Sequence, residues 1–379
     1  MALSRDPLAG TPYRKLRLLR AGGMSKVYEV EDGRGRVFAL KLLRREFVTS
    51  HRSIERMRLE KEILRVANHP NVVRLRDAGA TRAGLPYIVM DRLYGSTLQA
   101  RVARGALPVL AAVRYVRQAL EGLSAVHALG VMHRDIKPEN LFLSRSSRQS
   151  PRVMLLDFGG AKILREIAHV ELLSVAISTT EDEVIGTARY IAPEVLQGSL
   201  DQRADLYMMG HVLHTLVTGR EPFHEIEDER ELIAAQLAKT IDPPSPATIE
   251  RVSIELFDLI HRVQAKDPAA RPGTAQEFIA ALGQFVAHHQ RLQKQSAPGR
   301  TKRTLGVGEY AKLIAAMRAF PERSAAIREQ YGLGSAHAWA KVQGWWEAQV
   351  QAQPHLAAKF DQLVERYYRR FMARRDENG

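Results

Sequence analysis

The chain has 379 residues, 45% of them hydrophobic and 26% charged, enough for about two to three domains with cores of their own. It has no cysteine, which excludes disulfide frameworks, thiolate metal centres and thiol nucleophiles and fits a reducing compartment. The formal net charge is +14; residues 289–379 hold 16 Lys and Arg against 8 Asp and Glu, so +8 of the excess lies in the last quarter, where solvated arginines on helix faces are the ordinary source.

Tyr13 to Val30 reads as strand, turn and strand, because Leu16, Leu18 and Val27 flank Gly22-Gly23. Phe38-Ala39-Leu40-Lys41 follows on a further strand. Residues 51–67 carry Ile54, Met57, Ile63, Leu64 and Val66 at helical spacing, with Glu60 and Glu62 between them. Pro86 to Leu93 is a buried-strand run that turns polar at its end. Pro108 to Gly130 is helix-like, with Leu110, Val113, Val116, Leu120, Leu123 and Val126 in register and Gly130 as the stop. Residues 133–140 then read His-Arg-Asp-Ile-Lys-Pro-Glu-Asn, and 17 residues after Asn140 comes Asp157-Phe158-Gly159. Gly186 to Glu194 reads Gly-Thr-Ala-Arg-Tyr-Ile-Ala-Pro-Glu, Asp205 opens an apolar helix, and helical patterns recur at 229–239, 253–264 and 274–287. Residues 288–304 form a linker by composition. Beyond it, 307–319, 322–331, 335–352 and 354–374 alternate helical periodicity with Gly or Pro breaks. There Trp339, Val342, Trp346 and Val350 share one face, and Leu356, Phe360, Leu363, Tyr367 and Phe371 another, the pattern of a small bundle core.

Eight consecutive residues at 133–140 with Asp157-Phe158-Gly159 at this spacing resemble a Ser/Thr protein kinase of the bacterial, eukaryotic-like type, with a C-terminal helical extension. The resemblance implies an α+β, two-lobed kinase fold over 13–287. A small β-rich N-lobe would span about 13–91 and a larger α-rich C-lobe about 92–287, followed by the 288–304 linker and an all-α module over 305–379. It implies ATP and Mg²⁺ as cofactors, with Mn²⁺ as a substitute metal. Asp135 would accept or orient the substrate hydroxyl proton and Lys137 would steady the γ-phosphate. Asn140 and Asp157 would hold the metal. Lys41 would pair with the α/β-phosphates and with Glu60, which lies nine residues before His69-Pro70-Asn71; Glu62 would be solvated. Leu19 to Tyr28 resembles the glycine-rich loop, with Arg20 and Ser25 where the family has its first and third glycines and Ala21, Gly22, Gly23 and Met24 between them. Val27 and Ala39 would roof the adenine pocket, Phe142 would floor it, Met90 would guard its back, and Asp91 and Leu93 would offer backbone groups.

Lys137 and Pro138 point to Ser/Thr specificity, and Thr187 would contact Asp135 and Lys137. Arg134 implies that a phosphate on the activation loop orders that loop, with Thr179 first and Thr180 next as the autophosphorylation sites. His133, Phe158, Asp205 and a Glu194–Arg271 ion pair would be structural. The partners implied are proteins presenting Ser or Thr, a docking partner for 305–379 and a second copy of the chain during activation. The first ten residues have no apolar stretch of signal-peptide length, and no run approaches the roughly 18 apolar residues of a membrane span, so a soluble, cytoplasmic protein is expected. Two rival readings come from other classes. A pseudokinase or ATP-dependent scaffold signalling through the C-terminal module is favoured by the altered glycine loop and opposed by Lys41, Asp135, Asn140 and Asp157. A nucleic-acid-binding tail would use Arg369, Arg370, Arg374 and Arg375, but no readout element accompanies them and nucleic acid is not expected as a partner.

Overall fold

Alternation of side chains along the strands decides which residues reach the candidate site. In the computed structural model, β1 (Arg14–Ala21), β2 (Ser25–Glu31), β3 (Val37–Leu43), β4 (Leu75–Ala80) and β5 (Pro86–Asp91) form an antiparallel sheet in the order β1-β2-β3-β5-β4. Tyr28, Val30, Leu40, Leu42, Tyr87 and Val89 point to one face, where they pack with Leu8 and Leu85. Successive strand residues face opposite ways, so Val27, Ala39 and Lys41 belong to the other face. The register sets Val27 opposite Lys41, and Ala39 opposite Met90. Helix α1 (His51–Val66) starts where the Ser50 side chain accepts the Ser53 N–H, and it buries Met57, Leu59, Glu60, Ile63 and Leu64.

The structure describes residues 6–146, 149–164, 189–241, 252–295, 305–331, 333, 336–352 and 354–376. They fall into two compact units, the larger drawn from 1–242 and 257–285 and the smaller from 243–256 and 286–379. After the sheet, the larger unit continues with β6 (Gly95–Thr97), α2 (Leu98–Val102), α3 (Val109–His127), β7 (Val131–Met132), β8 (Leu141–Ser146), β9 (Gln149–Leu155) and β10 (Lys162–Ile163). Strands β6, β8 and β9 form one small sheet, and β7 with β10 another. Gly95 has φ 150°, and a Cβ there would fall 2.0 Å from the Leu143 carbonyl oxygen, so only glycine fits where β6 meets β8. The motif at 133–140 occupies the crossing from β7 to β8. Next come α4 (Pro193–Leu196), α5 (Arg203–Thr218), α6 (Glu229–Ala238), α7 (Ile254–Val263) and α8 (Ala275–Gln295). Helix α5 is buried from Ala204 to Val217 and stops at Gly219, whose φ of 77° is the left-handed cap geometry. The architecture is the α+β one of a β-rich N-lobe and a helical C-lobe.

Helix α8 runs to Gln295, through the boundary expected at 287 and into the segment expected to be a linker. The physical reason is local: His288 to Gln295 contains no Gly or Pro, and the breakers Pro298 and Gly299 come only afterwards.

In the smaller unit, α9 (Val307–Ala319), α10 (Ser324–Gln330), α11 (Ala336–Ala352) and α12 (Pro354–Asp376) meet around Tyr310. Its ring stacks on Trp346 at 5.4 Å and on Phe360 at 5.5 Å. Trp339, Val342, Leu356 and Leu363 pack around the same cluster, so residues of both apolar stripes meet there, while Tyr367 and Phe371 pack in a second cluster with Ala311 and Ala315. Among the described residues no helix is long and apolar enough to cross a membrane.

The C-lobe is closed by a buried ion pair: Arg271 Nη1 and Nη2 donate to Glu194 Oε1 and Oε2 at 2.5 and 2.8 Å, the Arg271 side chain being fully buried. Removing one partner of such a pair strands the other charge away from water. Glu194→Ala is therefore expected to cost about 3–5 kcal/mol of unfolding free energy, read by urea titration, and a loss under about 1 kcal/mol would contradict this account. A second expectation concerns acid. Burial, reinforced by His261 and His224, lowers the His214 imidazole to about 4, while the unfolded chain protonates near the ordinary value of 6.5. A lowered folded-state pKa in a base means that the unfolded state binds the extra proton, so stability falls as pH drops from about 6.5 towards 4. His214→Gln should shrink that decline by on the order of 3 kcal/mol in pH-dependent denaturation.

Candidate active site

A cavity of about 640 Å³ opens beneath the glycine turn, bordered by Lys41, Glu60, Asp135 and Asp157. Lys41, on the inner face of β3, donates from Nζ to Glu60 Oε1 and Oε2 at 2.8 and 2.6 Å and to Asp157 Oδ1 at 2.9 Å. Helix α1 brings Glu60 to it with an exposure of only 2%. Glu62 turns away and pairs with Lys61 and Arg65. Burial works against the Lys41 charge, but the two carboxylates outweigh it and raise its pKa above the ordinary lysine value. The same ammonium holds the Asp157 carboxyl well below the usual carboxylate range, while burial pushes Glu60 up. One ammonium between two carboxylates leaves this group one negative charge in excess when all three are ionised.

Asp135 lies in the β7–β8 crossing and is held by its neighbours: Asn140 Nδ2 donates to its Oδ2 at 2.7 Å and to its backbone oxygen at 2.9 Å, and Lys137 Nζ lies 2.8 Å from Oδ1. The loop itself hangs on Asp205, which is fully buried and accepts the backbone N–H of His133 and of Arg134 at 2.8 Å each. His127 Nε2 lies 2.8 Å from the same carboxylate. Burial alone would raise the Asp205 carboxyl, but the His127 bond and the amides hold it below the usual range. Arg134 and Asp157 both have left-handed backbone, φ 63° and 61°, a costly conformation for side-chain-bearing residues that Phe223 and Ser253 also adopt elsewhere in the described residues. Phe158 is buried, its ring 4.7 Å from that of His133.

The donor set fits a hard divalent cation. Asn140 Oδ1 is buried with no hydrogen-bond partner among the described residues, while its amide nitrogen is fixed by Asp135. Asp157 supplies an ionised carboxylate of which Lys41 occupies one oxygen. Amide and carboxylate oxygens of this kind are the ligands that Mg²⁺ takes alongside water and phosphate.

The remaining expected positions divide. Arg20, Gly22, Gly23, Met24, Ser25, Val27, Ala39, Met90, Asp91, Leu93 and Phe142 border the cavity; Ala21 does not. The Asp91 N–H is taken by the Arg74 carbonyl, and the Asp91 side chain by Arg76, whereas the Leu93 N–H makes no hydrogen bond among the described residues. Thr179, Thr180 and Thr187 lie outside the described residues. Glu194 and Arg271 pair in the C-lobe and take no part in the cavity. Sequence reasoning missed Arg56, Ser53 and Leu156, which also border it. Arg56 was within reach: it sits four residues before Glu60 on α1, hence on the same helix face. Its Nη1 lies 3.7 Å from Met24 Sδ at the tip of the glycine turn.

The sequence profile of the protein kinase domain matches residues 13–281. The chain is 35% identical over 303 residues to the serine/threonine-protein kinase Pkn1 of Myxococcus xanthus, covering 78% of this chain and 42% of that one. It is 33% identical to serine/threonine-protein kinase pkn3 of the same organism, over 90% of this chain and 60% of that one. It is 35% identical to serine/threonine-protein kinase PknB of Mycobacterium leprae, over 74% and 44% respectively. The chain thus spans about half the length of these relatives. Profile match, fold and relatives agree, and the chain belongs to the protein kinase domain family, in the company of bacterial Ser/Thr kinases.

Proposed function

We propose that the chain is a Ser/Thr protein kinase that transfers the γ-phosphoryl group of ATP to Ser or Thr hydroxyls of proteins. The observation that carries this reading is the convergence of Lys41, Glu60, Asp135 and Asp157 on one cavity, with the unpartnered Asn140 oxygen beside Asp135. Lys41, fixed by Glu60, would meet the α/β-phosphates with an ammonium that stays charged at any working pH. Asn140 and Asp157 would hold Mg²⁺, which supplies charge neutralisation at the phosphates. Asp135 would accept the acceptor hydroxyl's proton while Lys137, 2.8 Å from it, steadies the transferring group. The new bond joins the substrate oxygen to the γ-phosphorus, the β–γ bridging bond breaks, and ADP leaves. The adenine edge would lie against the free Leu93 N–H, between Val27, Ala39 and Phe142.

Activation by autophosphorylation of Thr179 or Thr180, selection of Ser/Thr by Thr187, and a docking role for residues 305–379 belong to the same reading. The named relatives are Ser/Thr kinases, and Arg134 stands next to Asp135 as the counter-charge that a loop phosphate requires.

Purified protein incubated with Mg²⁺ and γ-labelled ATP should label itself on Thr179 or Thr180, and Lys41→Met and Asp157→Asn should remain unlabelled. Absence of label on the chain and on a generic basic protein, despite measurable ATP binding, would move the assignment to the scaffold. Separately, Asp135→Asn should lower kcat by about 10²–10⁴-fold, the usual contribution of a positioned base, while the nucleotide Kd stays nearly unchanged. Retained turnover in that variant would remove Asp135 from its role.

A further inference from the structure

A second cavity, of about 420 Å³, opens on the sheet face that Tyr28 and Leu42 share, away from the Lys41 face. Tyr28, Leu42 and Leu85 give it buried apolar walls, and Lys26, Arg45 and Arg82 border it. None of these three cationic side chains makes a hydrogen bond or close ion pair among the described residues. Two carboxylates also line it: Glu46 is held by Arg44 Nη2 at 3.2 Å and feels the Lys26 ammonium at longer range, and Asp6 accepts the Leu8 N–H at 3.0 Å. The Tyr28 hydroxyl is a further spare donor: the residue is 7% exposed, its hydroxyl has no hydrogen bond among the described residues, and burial raises its pKa so that the proton stays on. Lys26, Arg44, Arg45 and Arg82 outnumber the two carboxylates, and this excess of positive charge beside a buried donor and an apolar wall describes a site for an anion with an apolar body, in a volume within the roughly 300–1,000 Å³ of small-molecule pockets.

Arg44 connects this cavity to the first. It borders the outer cavity, yet its Nη1 donates to the Gly23 carbonyl at 3.0 Å and to that of Gly22 at 3.4 Å. Its backbone N–H donates to the Met24 carbonyl at 2.9 Å. The turn carries Arg20 and Ser25 where the family pattern it resembles has glycines, and this guanidinium braces its backbone through the Gly22 and Gly23 carbonyls.

We propose that the outer cavity binds a small organic phosphate, with the phosphoryl group among Lys26, Arg45 and Arg82 and the apolar body against Tyr28, Leu42 and Leu85, and that Arg44 transmits its occupancy to the glycine turn. An anion in the cavity draws the Arg44 guanidinium towards itself and away from the Gly22 and Gly23 carbonyls. The turn loses its brace and nucleotide affinity falls. The site itself is independent of the kinase assignment; its effect on nucleotide rests on that assignment.

Phenyl phosphate titrated calorimetrically into the full chain tests the site, first alone and then with the nucleotide pocket saturated by a non-hydrolysable ATP analogue and Mg²⁺. Binding that persists under saturation, saturates at one equivalent, is about tenfold or more tighter than that of inorganic phosphate, and weakens about tenfold or more in Arg45→Glu/Arg82→Glu is the expected result. Phenyl phosphate should also raise the Kd of the analogue about fivefold or more, and Arg44→Gln should abolish that coupling. Non-saturating binding, equal affinity for the two phosphates, or undiminished binding in a double variant that melts at the wild-type temperature overturns the site. An analogue Kd indifferent to phenyl phosphate overturns the transmission through Arg44. Failure of the analogue to bind at all would count against the kinase assignment instead, because phenyl phosphate is titrated without it too.

Discussion

The Asp205 carboxylate is the interaction on which the candidate site hangs. It comes from the first turn of a helix buried almost throughout, and it receives two backbone amides from a loop that has little regular structure of its own. A buried carboxylate without partners would be costly, so the bonds from His133, Arg134 and His127 fix the loop as firmly as they satisfy the charge. That anchorage is what allows Arg134 to sit in left-handed backbone and Asp135 to face the cavity. The rigid C-lobe thereby lends its order to residues that a free loop would scatter.

A different logic governs the N-lobe side. Lys41 and Glu60 belong to elements that share only weak local reasons to meet, a strand and a helix 19 residues apart. Their contact is ionic and mostly buried, and it is strong only while α1 stands where it does. Asp157 adds a second carboxylate to the same ammonium, so the group is electrostatically incomplete by one positive charge. This is the deficit that a phosphate-bound divalent cation would fill. Asn140 Oδ1, buried and without a hydrogen-bond partner among the described residues, offers such a cation an oxygen ligand from the C-lobe side.

Much of this was legible in the chain because the chemistry is carried by neighbours in sequence. The octet at 133–140 and the triplet at 157–159 need no tertiary knowledge to be read, and the two-residue period of β3 already separated Lys41 from Leu40 and Leu42. Choosing Glu60 over Glu62 needed spacing, and the structure gives the reason: Glu62 has nearby Lys61 and Arg65 as partners, whereas Glu60 is buried. What escaped were contacts made by long, flexible side chains across the fold. Arg44 reaching back to Gly22 and Gly23 leaves no periodic trace in the sequence, and Arg56, although its helical spacing from Glu60 gives its face, does not show there that it meets Met24. The helix as far as Gln295 is hidden for the opposite reason: the polar composition of 288–304 suggests a linker, although nothing in it stops a helix until Pro298.

The stacked core of the smaller unit has one further consequence. All three tryptophans of the chain, Trp339, Trp345 and Trp346, lie in residues 336–352, and the whole segment from residue 1 to 335 has none. Indole emission from the intact protein is therefore the private signal of the C-terminal helices. Trp346, buried against Tyr310, makes that signal sensitive to whether their core is assembled, and the larger unit contributes only tyrosine. The molecule carries its own optical label on the smaller unit, whose role is least written in its motifs.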